Sequence, residues 1–453
     1  MVKINIPCVV IGAGLAGLLA SYRLQSKLKG ETILLIDEKN KEGGRIKTRI
    51  DSYENVQELG AMRISEHQFE TTNLCNELEI NLTKFPSMNT DNTLIYMNNK
   101  RTIELSGGKL NIETCMRNNM EKYISKNFKK DQFDNNAYKR LLEEDLQKDY
   151  YSISFDEAIR ILMSQEEYLV YRKISGYTYM YNNDVSFHGV MVANRNIHES
   201  SKIFTIQSGM IKICEKLKIK FKKSGGLTIF GEKIISIRKV ESSYELTTNK
   251  KIIICKVLIV AIPPKQLLDI NIEEGIIDNQ TKTIFKDNIG SYASRKTFAV
   301  FSENWWEKDS KRSQEFSLFR SDNKLRQGYF PICQTSKEIY SMLIEYSNVK
   351  ETDYSIDENN YIKQLEEMTN RKITGLEEIY TYDWRYDLSK ISAHYLKIGG
   401  KYTDIIGVCY DEKNKIYYIG EAYSTQHGWM AGAIESVNSL IKQTSVMKKI
   451  QLS

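Results

Sequence analysis

Cys8-Val9-Val10-Ile11-Gly12-Ala13-Gly14-Leu15-Ala16-Gly17 ends an apolar run over 4–11, read as one strand, in three glycines with the Gly-x-Gly-x-x-Gly spacing. A helical pattern follows through Leu24, and a second apolar run, residues 32–36, leads into Asp37-Glu38. Strand, tight turn, helix and strand make a βαβ unit. Each glycine has a task in such a unit. The first permits the turn, the second lets backbone approach a pyrophosphate, and the third allows close packing of helix on strand. The pyrophosphate then meets unpaired N–H groups at the positive end of the helix dipole. Asp37 stands where an acid takes ribose hydroxyls, with Glu38 as its rival. The reading is an α/β fold with a dinucleotide site; a glycine turn without a ligand is the competing one.

Outward from this stretch, the chain has 453 residues, which at about 150 per domain allows three domains. With 41% hydrophobic and 27% charged residues it has material for a sizeable core, which excludes a disordered or collagen-like chain. The net charge of +6 is interleaved with acids and neutral residues, as around Lys216-Leu217-Lys218 and Lys222-Lys223. A nucleic-acid binder gathers its basic residues into a stripe, so no nucleic-acid partner is expected. The seven cysteines have no metal-site spacing and sit mostly among apolar neighbours, so reduced buried thiols and no metal are expected. No signal peptide and no run of about 18 apolar residues is visible. The expectation is a cytoplasmic protein without a membrane partner; a homodimer is left open.

Proline is rare, with five in the chain, and no linker or repeat stands out, so boundaries come from pattern. Residues 67–200 are polar and helix-like, with helices expected over 141–150 and 154–168. Residues 204–221 hold a helix after Ser208-Gly209. Strands are expected at 227–230, 234–237, 244–247 and 252–260, then over the alternating stretches 297–301 and 340–346, and finally at 416–419. Nucleotide-binding segments thus fall at the start, middle and end. The expected architecture is a Rossmann-like domain from 1–66, 196–265 and 405–453, interleaved with an α+β substrate-binding domain from 67–195 and 266–404.

Distant motifs separate the two common dinucleotides. Gly43-Gly44-Arg45 offers close backbone and a cation to the phosphates. Tyr418-Ile419-Gly420-Glu421-Ala422 ends a strand in a glycine and an acid, and His427-Gly428-Trp429-Met430-Ala431-Gly432-Ala433 opens the closing helix. A long, extended cofactor held from both chain ends needs such patches. With Glu58-Leu59-Gly60-Ala61, Ser208-Gly209-Met210 and Ala261-Ile262-Pro263, these motifs make the sequence resemble the flavin-containing amine oxidase family. The resemblance implies that family's fold and non-covalent FAD, since Ser392-Ala393-His394-Tyr395 offers no cysteine where covalent members carry one. It implies cofactor contacts from Gly12, Gly14, Gly17, Asp37, Glu38, Gly44, Arg45, Gly60, Ala61, Met62, Arg63, Ile234, Gly420, Glu421, Gly428, Trp429, Met430 and Ala433.

The branch is indicated by Gly60-Ala61-Met62-Arg63-Ile64, which resembles the L-amino acid oxidases in carrying an arginine there. A guanidinium fork suits an α-carboxylate, and charge-assisted bonds are the strong ones. The resemblance further implies that Tyr346 shares the carboxylate and that Trp429 flanks the substrate amine, with the Gly428 carbonyl beside it. Lys296 would hold a water near the flavin and serve its reoxidation by molecular oxygen, although Arg295 lies next door. Tyr395 and His198 are further substrate-site candidates. The implied reaction transfers hydride from the amino acid to flavin N5, giving a 2-oxo acid, ammonia and hydrogen peroxide. The alternative is a flavin amine or polyamine oxidase, or another flavin-dependent dehydrogenase, without carboxylate recognition.

Overall fold

Pro7 interrupts the apolar run that opens the chain, and the interruption is a change of sheet. In the computed structural model, Val2–Asn5 and Cys8–Ile11 are separate strands. Proline has no N–H for a ladder; its carbonyl accepts the amides of Lys256 at 3.2 Å and Val257 at 3.0 Å. The facing stretch, expected as one strand over 252–260, breaks likewise into Lys251–Cys255 and Val257–Val260. The two chains run parallel and step together from a five-stranded into a six-stranded sheet. The structure describes residues 2–85, 93–104, 152–194, 202–306, 317–330, 339–349, 357–443 and 445–451.

The six-stranded sheet is ordered Leu227–Phe230, Ile33–Asp37, Cys8–Ile11, Val257–Val260, Ile416–Tyr418, Tyr410–Asp411. All its ladders are parallel except the last. Cys8–Ile11 and Val257–Val260 are buried at every position, as parallel strands covered on both faces require. On one face pack the helices Leu15–Gln25, Ile211–Lys223 and Met430–Gln443, through Leu18, Leu217 and Val437. The other face meets the five-stranded sheet through Ile237, Leu246 and Ile253. A ligand at such a sheet sits beyond the carboxyl ends of the strands.

The second large sheet is built on the long strand Ile289–Phe301. Its first part pairs with Ala393–Leu396, and further along it lies between Tyr340–Val349 and Leu376–Asp383. Gln327–Tyr329, Leu318–Ser321, Thr93–Met97 and Lys100–Glu104 complete the sheet. Successive residues of a strand face opposite ways, which separates Arg295 from Lys296. Arg295 and Thr297 turn to a buried carboxylate, Glu345, at 2.7 Å each, and the Tyr361 hydroxyl donates to it at 2.6 Å. Lys296, in register with Tyr346, turns the other way.

Helical boundaries differ from the periodicity at two places. The stretch 154–168 is divided into Phe155–Leu162 and Gln165–Ile174, because Ser164 caps the second helix. The Glu167 amide donates to Ser164 Oγ at 3.2 Å while the Ser164 amide donates to Glu167 Oε2 at 2.8 Å, a reciprocal capping box. Residues 204–221 open on a strand, Ile203–Thr205, and the helix is Ile211–Lys223. The helix expected over 141–150 lies outside the described residues, as do Cys115 and Cys333. Cys8, Cys75, Cys214, Cys255 and Cys409 are free and buried. Among the described residues no helix is long and apolar enough to cross a membrane, and no cluster of metal-ligating side chains occurs.

Candidate active site

The glycine turn is shaped by what each missing side chain leaves open. Gly12 has φ +103°, and a Cβ there would lie 2.8 Å from Ile262 Cγ2 and 2.9 Å from the Ala261 carbonyl. At Gly17 a Cβ would stand 1.9 Å from the Gly12 carbonyl, so helix and strand approach this closely only with glycine. Beside Gly14 the space is open, the nearest atom to an added Cβ being the Gly43 carbonyl at 4.0 Å. Asp37 accepts the Ala13 amide at 2.6 Å and the Lys39 amide at 2.7 Å, so its carboxylate ties the glycine turn to the second strand. Burial raises the Asp37 pKa, and these two amides oppose the rise. Glu38 accepts from Gln266 at 3.5 Å.

From this turn a cavity of about 340 Å³ runs toward the second sheet. Its wall carries Gly12, Gly14, Asp37, Glu38, Gly44, Arg45, Gly60, Ala61, Ile234, Lys296, Tyr346, Gly420, Glu421, Gly428, Trp429, Met430 and Ala433. Gly17, Met62, Arg63 and Tyr395 do not line it. His198 lies outside the described residues.

Glu421 ties two distant segments, at Arg45 and His394, to its own turn at the middle of the cavity. Its carboxylate accepts from Arg45 Nη1 at 2.5 Å, from the His394 amide at 3.0 Å, and from the Gly428 amide, with His394 Nδ1 2.6 Å away. Burial alone would raise its pKa, but Arg45 and His394 hold it well below the usual carboxylate range. A buried charge needs such partners. Gly428, at φ +82°, turns the chain so that Trp429 lines the wall, where its Nε1 donates to Asn194 Oδ1 at 3.4 Å.

The far end is organised by the segment 58–63. A Cβ on Gly60 would fall 1.9 Å from the Arg45 carbonyl, and the Ala61 amide donates to that carbonyl at 3.2 Å. The arginine loop and the Gly60 segment are therefore one packed unit. Lys296 Nζ donates to the Glu58 carbonyl at 2.9 Å and the Gly60 carbonyl at 2.6 Å, with Met62 Sδ at 3.3 Å. Burial pushes the Lys296 ammonium down to about 7. The Glu58 carboxylate accepts from the Met210 amide at 2.6 Å and Thr48 Oγ1 at 2.8 Å, and burial pushes it up. Glu58 thereby pins the start of the helix Ile211–Lys223 to this unit.

Arg63 lies one ring behind the wall. Its Nη1 donates to the Tyr329 hydroxyl at 3.1 Å and its Nη2 to the Tyr177 hydroxyl. Tyr346 lines the cavity and sets its ring edge-on to Tyr177, 5.8 Å between centroids at 89°. Lys296 Nζ stands 4.9 Å from the centre of the Tyr346 ring.

The expected place of Tyr395 needs correction. Its hydroxyl donates to the Asp184 carboxylate, with oxygens at 3.0 and 3.1 Å, and its ring fills the space over Gly290. The aromatic that lines the wall there is Tyr292, stacked at 3.8 Å on Tyr179. Gly290 and Tyr395 are opposite in register, so the missing side chain receives the ring and Tyr292, two residues on, takes the wall. Sequence reading gave Glu58 no role beyond its motif, and missed Tyr177, Tyr329 and Trp384, whose Nε1 donates to the Leu59 carbonyl at 2.8 Å. The signal available was the tyrosine run Tyr177-Thr178-Tyr179-Met180-Tyr181 in a chain with 28 tyrosines.

A nucleotide-type glycine turn, an arginine loop and a reactive end rich in aromatics and cations are parts of a flavoenzyme. Residues 15–437 match the family of flavin containing amine oxidoreductases, and the chain belongs to it. FAD is accordingly the cofactor, and the open cradle beside Gly14 and the partly buried Arg45–Glu421 pair fit it. Over 78 residues the chain is 40% identical to an L-amino-acid oxidase of Mus musculus. That stretch is 17% of this chain and 12% of the mouse protein, so only a small part of that relative's length is matched. A putrescine oxidase double mutant redesigned for cofactor binding superposes with a TM-score of 0.77 at 13% identity, covering 100% of both chains. Wild-type putrescine oxidase bound to putrescine gives 0.76, again at 13% identity and full coverage of both. At that identity the likeness is one of fold.

Proposed function

We propose that this flavoenzyme oxidises free L-amino acids to 2-oxo acids, releasing ammonia and hydrogen peroxide. The observation that carries the reading is Arg63, a guanidinium set among the hydroxyls of Tyr177 and Tyr329, one ring from a wall formed by Tyr346 and Lys296. Gly12, Gly14, Asp37, Gly44 and Arg45 would hold the dinucleotide end of FAD, with Gly420 and Glu421 beside its middle. Bound there, FAD supplies hydride acceptance from a carbon bearing an amine, and reduction of oxygen.

The chain's own residues then select and orient. Arg63 offers a planar fork to a carboxylate, with Tyr346 as a second donor, and a hydrogen bond to a charged group contributes about 1.5–3 kcal/mol. Trp429 and Tyr292 flank the amine, and the Gly428 carbonyl accepts its N–H. Fixing carboxylate and amine together leaves one direction for the Cα–H. Lys296, held by two carbonyls and lowered by burial, keeps a proton-bearing nitrogen at the wall without a second fixed charge beside Arg63. Among the described residues no cysteine lines the cavity, which supports non-covalent FAD; acid precipitation is expected to release the yellow colour into the supernatant, and retention in the pellet contradicts this.

The second reading, an amine substrate without a carboxylate, has the putrescine oxidase likeness in its favour. Arg63 counts against a diamine, because a second ammonium near a guanidinium is repelled. Peroxide formation with L-amino acids, their decarboxylated amines and putrescine separates the two. Turnover of the acids is expected to dominate; equal or faster turnover of the amines overturns the proposal.

A further inference from the structure

We infer that Tyr177 is a third donor to the substrate carboxylate, so that Arg63, Tyr346 and Tyr177 together form a three-point seat that restricts the site to acids. The inference rests on the amino-acid reading and deepens it. A phenol has one proton to give. The Tyr177 hydroxyl accepts an N–H from Arg63 Nη2, so its proton is not spent on that contact. Accepting from a cation polarises the hydroxyl and strengthens it as a donor. The Tyr346 hydroxyl makes no hydrogen bond to the described residues, and its ring meets Tyr177 edge-on at 5.8 Å. Tyr177 thus sits between the guanidinium it accepts from and the Tyr346 ring at the cavity wall.

Burial separates Tyr177 from the other tyrosine on Arg63. Tyr329 is 1% exposed and packs on Phe85 at 5.3 Å, so it props the guanidinium from the core side. Tyr177 is only partly buried and stands behind the Tyr346 ring, which lines the cavity. It precedes the turn Thr178–Tyr181, which is tied to the second sheet where the Tyr179 amide meets Asn348 Oδ1 at 3.5 Å. An oxyanion placed against Arg63 and Tyr346 would find the Tyr177 proton on its third side, whereas a plain amine brings nothing to accept it.

The test is Tyr177→Phe in the FAD-loaded protein, which removes one oxygen atom. Benzoate, a carboxylate without an amine, is titrated against wild type and variant by its perturbation of the flavin absorption, and kcat/KM is measured for an L-amino acid and its decarboxylated amine. A Kd for benzoate raised roughly tenfold, with the acid-to-amine ratio of kcat/KM lowered by a similar factor, supports the seat. A benzoate Kd within about twofold of wild type and an unchanged ratio overturn it. Failure of the amino-acid reading is seen separately, in the wild type, as preference for the amine and no benzoate perturbation; that result overturns this inference as well. Should Tyr177→Phe not retain FAD, Tyr177→His, which keeps a ring N–H donor, and Tyr177→Leu are titrated with benzoate instead: a Kd clearly higher for the leucine variant supports the seat, and equal Kd values overturn it.

Discussion

Arg63 and Lys296 stand close together at the reactive end, and burial treats them differently. A guanidinium stays charged in proteins, whereas a buried ammonium is driven toward its neutral form; Lys296 is accordingly lowered to about 7. One fixed positive charge, beside a lysine that burial drives toward its neutral form, is the resulting arrangement. Lys296→Met, similar in length but without a proton, is expected to slow reoxidation of the reduced flavin by oxygen at least tenfold. Anaerobic reduction by substrate should change by less than threefold in the same stopped-flow series; equal slowing of both half-reactions contradicts an oxygen-side role. At this scale Arg63 was legible because a local motif carries it. Strand parity was needed to choose Lys296 over Arg295. Tyr177 was hidden because its partner, Arg63, is more than a hundred residues away and no periodicity connects them.

Elements show where a pattern of apolar residues stops being informative. The stretches 4–11 and 252–260 each read as one strand, since both are apolar throughout; each belongs to two sheets, and Pro7 was the visible mark of the break. The capping box at Ser164 and Glu167 likewise sat in the sequence beneath a continuous helical pattern. Ser164→Ala is expected to cost about 1 kcal/mol of stability, read as a lower denaturant midpoint with an unchanged slope; no shift would show that the break is held by tertiary packing alone. The join between the Gly60 segment and the arginine loop is stricter. With a Cβ landing 1.9 Å from the Arg45 carbonyl, Gly60→Ala must separate the two loops. Its purified form is expected to lose at least half of its flavin absorbance per protein absorbance, and full FAD retention would contradict the proposed packing.

For the molecule as a whole, buried histidines set a pH limit. His188 and His427 are each 3% exposed, and burial, first of the causes, lowers both to about 4. A group whose folded pKa is depressed below its unfolded value of about 6.5 is neutral in the fold, while the unfolded chain takes up the proton. Stability is thus expected to be full above pH 6.5, to fall as pH drops toward 4, and to lose up to about 3 kcal/mol per group. Glu421, held below the usual range, adds a further loss beginning near pH 4.5. A thermal midpoint flat between pH 6.5 and 4.5 would contradict the buried neutral histidines, and His188→Gln should reduce the slope. The glycine turn and its neighbours were legible because glycine motifs act locally and their spacing is fixed by the ligand. The far end of the cavity is assembled from pairs distant in sequence, such as Tyr346 with Tyr177, and motif reading has no purchase on those.

The central claim is that Arg63 makes this an enzyme of acids. Its most direct test is the kcat/KM ratio of an L-amino acid to its decarboxylated amine, measured for wild type and Arg63→Ala with equal FAD content. A charged hydrogen-bonding contact of about 1.5–3 kcal/mol corresponds to a fall in that ratio of at least tenfold, and that is the expected result. A ratio unchanged by Arg63→Ala contradicts the account.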